Sequence, residues 1–220
     1  MKMKKKTFLE ILNSISHGLG VFLGITTCVL LCVHHRAYAS RIFVGELVYI
    51  SSFILLFLAS TLYHGIPIRS EKNLLRVFDH SAIFIFIAGS YTPIVLSLFE
   101  NTGAILFLIL IWGLALAGFC FKLFTIGRYD KYTKLSTFLY IGMGWISAFL
   151  IPGLVRTMGL KYMLGILIGG ILYTLGTYFY RKTSWTYHHV VWHLFVLAGA
   201  VVQLVSLVFG LQLPVLGGGA

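Results

Sequence analysis

The sequence predicts an all-α fold, a polytopic membrane protein built as a seven-transmembrane-helix bundle. Three observations predict it. Of the 220 residues, 59% are hydrophobic and only 10% charged, whereas soluble domains carry about 25% charge. Mean hydropathy is +0.93. Apolar stretches of membrane-spanning length recur seven times along the chain. The polar connections are all short, so residues 1–220 read as a single membrane domain with no separate soluble part.

The first stretch runs from about residue 15 to 33. It follows Met1-Lys2-Met3-Lys4-Lys5-Lys6, which resembles the start of a signal peptide, and Ala37-Tyr38-Ala39 resembles a cleavage site. Glu10, Asn13, His17, His34, His35 and Arg36 interrupt that pattern, and the apolar run is as long as a full span, so it reads as an uncleaved first helix. The remaining stretches fall at about 42–63, 80–99, 104–124, 135–154, 162–180 and 190–211. Pro93 and Pro152 are expected to kink or end helices, because proline removes a backbone donor. Gly165-xxx-Gly169 allows close helix contact. Gly217 to Ala220 reads as a tail without structure.

Charge sets the expected orientation. Thirteen Lys and Arg residues fall at one end of the bundle and four at the other: Arg36, Arg41, Arg156 and Lys161. The positive-inside rule then places the N-terminus in the cytoplasm and, after seven spans, the C-terminus outside. The net charge of +11 would suggest nucleic acid in a soluble protein. Here it reads as cations facing anionic headgroups, so the expected partners are membrane lipids and no nucleic acid. Cys28, Cys32 and Cys120 lie inside apolar runs and read as small hydrophobes, although the four-residue spacing of the first two would also suit a soft metal.

The polar residues inside the spans carry the chemistry. His189 and His193 are four apart, so both imidazoles point from one helix face, one turn apart. Such a pair either sits in water at the headgroup interface or shares a metal ion. The expected topology puts His64, at the end of the second span, at the same depth. Three histidines with an open position is the arrangement of a catalytic-type zinc site. Ser60, one turn before His64, can orient a ligand or donate a hydrogen bond to a substrate carbonyl. Asp79, which is expected to open the third helix, can hold a water and take its proton. It also suits an N-cap, and both roles can hold at once. His80 and His188 each sit about 100° around the helix from a neighbouring candidate, so they read as groups behind the ligands or at the interface. Asn13 and His17 share a face and border the site, with His17 expected to open the first helix. Gln203 and Ser206 read as interhelical hydrogen-bonders. His34 and His35 lie a bilayer thickness away and cannot join a common site.

Taken together, Ser60-Thr61-Leu62-Tyr63-His64, Phe78-Asp79-His80-Ser81-Ala82-Ile83, Gly89-Ser90-Tyr91-Thr92-Pro93 and His189-Val190-Val191-Trp192-His193 resemble the bacterial hemolysin III family. That family is similar to the adiponectin receptors and the wider progestin and adipoQ receptor group. Glu10-xx-Asn13-xxx-His17-Gly18 fits the bacterial branch. The resemblance implies a multi-pass protein of the bacterial cytoplasmic membrane with one Zn2+ near the cytoplasmic face. It implies that zinc is held by His64, His189 and His193, with Asp79 positioning water. It also implies ceramidase-like hydrolysis of a lipid amide or ester, or a role in membrane-lipid homeostasis. Two other readings stay open: a non-catalytic sensor with structural zinc, and a pore-forming cytolysin, as the family name suggests.

Overall fold

The computed structural model describes residues 2–34, 40–68, 72–99 and 102–210. In order they form α1 (Lys2–His34), α2 (Ser40–Gly65), α3 (Lys72–Leu98), α4 (Thr102–Phe124), α5 (Tyr129–Trp145), a 3₁₀ segment (Ile146–Leu150), α6 (Ile151–Met158), α7 (Leu160–Arg181) and α8 (His188–Gly210). Seven helical stretches are long and apolar enough to cross a membrane, and no strand occurs among the described residues. The fifth stretch is composite, joining α5, the 3₁₀ segment and α6 over Lys131–Met158. His35, Arg36, Ala37 to Ala39, Arg69, Leu211 and Gly217 to Ala220 lie outside the described residues.

The ends of the helices depart from the hydropathy pattern in one direction. α1 begins at Lys2 rather than near residue 15, and α3 begins at Lys72 rather than His80. Lysines, Glu10 and Arg76 lower local hydropathy there but do not oppose helix formation. Two expectations are corrected as a result. His17 lies about four turns inside α1, and Asp79 about two turns inside α3. Asp79 is therefore not an N-cap; the orphan donors of α3 are a full turn or more behind it.

Small residues and prolines set the packing. Pro93 lies inside α3, and Gly45 of α2 approaches it so closely that an added Cβ would stand 2.8 Å from the Pro93 Cα. Pro152 occupies the first turn of α6, directly after the 3₁₀ segment, where its missing N–H costs least. Gly159, at φ 83, makes the reversal into α7, a backbone conformation that side chains resist. Along α7, a Cβ at Gly165 would strike Ser206 of α8, and one at Gly169 would strike Gln203. Gln203 bonds across helices, donating to the Ile166 carbonyl at 3.4 Å and facing the Tyr173 hydroxyl at 3.4 Å. Ser206 does not; its hydroxyl donates to Val202 of its own helix at 2.9 Å. α2 packs most extensively on α3 and α7 on α8, while α8 touches α1 and α2 and so closes one side of the bundle.

The outer faces are apolar, with Phe22, Leu106, Ile109, Leu116 and Phe149 all exposed. The interior is where the polar groups sit: Asn13, His17, Ser60, His64, Asp79, His80, Lys122 and His193 are all buried. Such a distribution suits lipid outside and a polar site within. Overpacking at the α2–α3 contact tests the close approach. Gly45→Ala should destabilise the bundle by about 1–3 kcal/mol in denaturant titration in micelles. Gly113→Ala, where nothing lies within 4 Å, should be neutral or stabilising by up to about 1 kcal/mol.

Candidate metal centre

Three helices meet near one end of the bundle: α1 over Glu10 to His17, the last turn of α2 and the first turns of α8. α2 ends with His64 turned inward and 7% exposed, while α8 presents His189 and His193 from one face. One ring nitrogen from each of His64, His189 and His193 lies within 4.8 Å of the other two. The Nε2 atoms of His64 and His189 are 3.3 Å apart. Tetrahedral zinc with Zn–N bonds of about 2.0–2.1 Å spaces its nitrogen ligands by about 3.3–3.4 Å.

The surrounding hydrogen bonds fix which nitrogen His64 and His193 offer. His64 Nδ1 stands 2.7 Å from Glu10 Oε2. A carboxylate only accepts, so Nδ1 carries the proton and Nε2 keeps a lone pair. His193 Nδ1 stands 3.2 Å from the Asn13 carbonyl oxygen and 3.3 Å from Ser16 Oγ. The carbonyl again takes the Nδ1 proton. That leaves His193 Nε2 buried without a hydrogen-bond partner, an arrangement that costs about 1–3 kcal/mol unless something binds it. The orphaned lone pair, the paired Nε2 atoms and the carboxylate behind His64 together fit a divalent ion such as zinc held by three imidazoles.

The other sequence candidates surround this cluster in different ways. His17 stacks on His193 at 3.7 Å between ring centroids and meets Phe57 edge-on at 4.9 Å. Neither of its nitrogens has a hydrogen-bond partner. Asn13 contributes its backbone carbonyl rather than its side chain, whose Oδ1 is left unsatisfied. Asp79 of α3 is 4% exposed and stands beside Ser60 and near His64, but it is not one of the converging ligand groups. Ser60 is buried close to that carboxyl, yet its Oγ has no partner of good hydrogen-bond geometry. His80 Nδ1 is 3.0 Å from the Arg76 carbonyl and 3.5 Å from Asp79 Oδ2. His188 ties α8 back to α7 through the Tyr180 carbonyl at 3.2 Å. Cys28 and Cys32 are free thiols, half-buried and exposed, and join no ligand cluster among the described residues.

Two contacts become visible only in the folded chain. Glu10 stands in the sequence as part of a family motif, and its i, i+3, i+7 spacing with Asn13 and His17 marks an inward face. Its partner His64 lies on another helix. Lys122, 2% exposed, donates to Ser136 Oγ at 2.5 Å and lies 5.8 Å and 5.7 Å from the Tyr129 and Tyr140 ring centres. A lysine at the end of an apolar span is the signal that could have found it.

Two cavities lie beside the histidine cluster. One, of about 630 Å³, is lined by polar groups that include Glu10, Asn13, His64, His80 and His189. The other, of about 160 Å³, is largely apolar and runs from His17 and Trp192 past Phe86 and Tyr173 to Ile94 and Met163.

Seven spans around a candidate three-histidine metal site define a multi-pass integral membrane protein, which in bacteria resides in the cytoplasmic membrane. The family described as Haemolysin-III related matches residues 6–204, and the chain belongs to it. It is 38% identical over 201 residues to the Hemolysin-3 homolog of Bacillus subtilis (strain 168), covering 91% of this chain and 93% of that one. Hemolysin-3 of Bacillus cereus is 37% identical over 202 residues, covering 91% and 90%. The human Monocyte to macrophage differentiation factor is more distant, 30% identical over 155 residues and covering 67% and 62%.

Removing the carboxylate behind His64 should loosen the site without removing a nitrogen. Glu10→Ala is expected to weaken divalent metal affinity about 10- to 100-fold, measured by chelator competition on purified protein. Unchanged affinity would mean that the Glu10–His64 contact has no part in metal binding.

Proposed function

We propose that this protein is a zinc-dependent intramembrane hydrolase that cleaves a lipid amide or ester. The observation that carries the reading is the convergence of three imidazole nitrogens, one of them orphaned, at a polar cavity, with an apolar cavity reaching His17, which stacks on His193. His64, His189 and His193 would hold the ion. Zinc there supplies Lewis acidity, polarising a carbonyl and making water nucleophilic near neutral pH.

The chain's own groups then divide the work. The apolar cavity takes the acyl chain, which leaves the carbonyl carbon at the histidines and the headgroup in the polar cavity. Asp79 accepts the proton of the attacking water as its oxygen bonds to the carbonyl carbon. The same carboxyl returns that proton to the leaving nitrogen or oxygen as the C–N or C–O bond breaks, so the products are a fatty acid and an amine or alcohol. Ser60 donates to the substrate oxygen, a use that accounts for its lack of a partner. Glu10 fixes the His64 tautomer, and Asn13 and Ser16 hold His193. The excess of Lys and Arg at the histidine end supports a cytoplasmic position for that end.

A second reading, a non-catalytic membrane sensor with structural zinc, draws on a specific feature. The ligands come from α2 and α8 and are held from α1, so an ion would tie three helices together. Metal analysis and lipid turnover separate the two. Wild type should carry one zinc per chain and release fatty acid from a lipid amide or ester. His193→Ala should lose both metal and activity. Asp79→Asn should keep the metal and lose about 10²- to 10⁴-fold in turnover. Protein without bound metal overturns both readings. Retained metal, no turnover of any lipid, and a lower melting temperature on chelation favour the sensor.

A further inference from the structure

The polar cavity over the histidines carries an excess of positive charge. Four cationic side chains line it: Lys6 from α1, Arg76 from α3, Lys134 from α5 and Arg181 from α7. They come from four different helices and converge on one hollow of about 630 Å³. Cations spread evenly over a cytoplasmic face would not share a concave site. Lys6, Lys134 and Arg181 are exposed, and the Arg76 guanidinium lies 4.7 Å from the Tyr129 ring centre. The one carboxylate in the lining, Glu10, is engaged by His64. Thr183 and Thr186 add hydroxyl groups around the same hollow, while the Thr133 hydroxyl there donates to the Tyr129 carbonyl at 2.9 Å. Lys72 is not among the lining groups; it reaches the Tyr63 carbonyl at the end of α2.

We infer that this vestibule binds an anionic headgroup, so that the ligand of the protein is a negatively charged amphiphile such as a phospholipid of net negative charge. The inference rests on the hydrolase reading only for the placement of the chain in the apolar cavity; headgroup binding stands without turnover. Cations clustered around a concave surface focus their field on an anion, and the hydroxyls suit phosphate or carboxylate oxygens. A zwitterionic headgroup would bring a quaternary ammonium against the same cations. Selection is therefore against neutral lipids as well as for anionic ones.

The test uses ether-linked dihexyl phosphatidylglycerol and dihexyl phosphatidylcholine, which no amidase or esterase can cleave. Each is titrated against the full chain in neutral detergent by calorimetry, with inorganic phosphate as a third ligand. A surface cation contributes about 1 kcal/mol toward an anionic lipid, or about fivefold in affinity. Lys134→Gln/Arg181→Gln should therefore weaken phosphatidylglycerol binding by about 25-fold and leave phosphatidylcholine binding nearly unchanged. Lys131→Gln, an exposed cation outside the vestibule, should change neither by more than about twofold. Equal affinities of the two lipids for wild type would overturn the inference. So would an equal loss in Lys131→Gln, which would assign the preference to surface charge at large. Inorganic phosphate binding as tightly as phosphatidylglycerol would show a site for a soluble anion and would overturn the headgroup assignment. Anionic preference with no turnover of hydrolysable lipids would reject the hydrolase reading alone, and turnover without preference would reject this one alone.

Discussion

An imidazole nitrogen buried in a membrane-spanning bundle has to be satisfied from within, and that constraint organises the histidine end of this protein. Water is not freely available to His193, which is 0% exposed. Its Nδ1 is met by the Asn13 carbonyl, which requires α1 to pass directly against α8. His64 is met by Glu10, which requires α1 to pass against the end of α2 as well. α1 therefore extends well before its apolar stretch begins, because the residues that answer the histidines lie in its polar first turns. What remains unanswered is His193 Nε2, at the point where the three rings converge, together with both nitrogens of His17, whose ring stacks on His193.

The same logic explains why the interior is more polar than the outside. Lipid supplies no hydrogen bonds, so many of the serines, threonines and tyrosines facing inward bond to helix carbonyls. Tyr91 reaches the Met143 and Gly144 carbonyls at 2.8 Å, and Tyr140 reaches the His80 carbonyl at 2.9 Å. These bonds join α3 to α5, a pair whose direct packing is light. Lys122 adds a third tie, from α4 to Ser136 of α5. α3 thereby holds Asp79 and His80 at a fixed depth beside Ser60.

Much of this is legible in the sequence, and the departures share a cause. The seven spans follow from hydropathy because lipid contact demands it of every outward face. The His189–His193 pair is legible because both residues sit on one helix. His64 needs topology, which the alternation of spans supplies. The starts of α1 and α3, at Lys2 and Lys72, escape hydropathy because it reports the bilayer and not the helix, which runs on into polar residues. The same blind spot makes Asp79 look like a cap. Ser206 departs from its expected role because a hydroxyl that can cross to α7 can equally bond its own turn. The role of Glu10 depends on where α1 lies against α2, a tertiary fact that no local spacing contains.

One irregularity joins the fold to the candidate chemistry. Pro152 cannot donate to the helix before it, and the chain tightens into a 3₁₀ segment over Ile146–Leu150. Ser147 and Ala148 of that segment, with Gly144 before it and Ile151 after, line the apolar cavity. Across the cavity stand Ile166, Gly170, Thr174 and Thr177 of α7. α5 touches α7 only lightly, with Trp145 Nε1 donating to Thr174 Oγ1 at 3.1 Å as one of the links between them. A regular helix through Pro152 would need a backbone donor that proline does not have. The 3₁₀ segment that precedes Pro152 thus forms part of the wall of the apolar cavity. That apolar space reaches the histidine cluster at His17, whose ring stacks on His193.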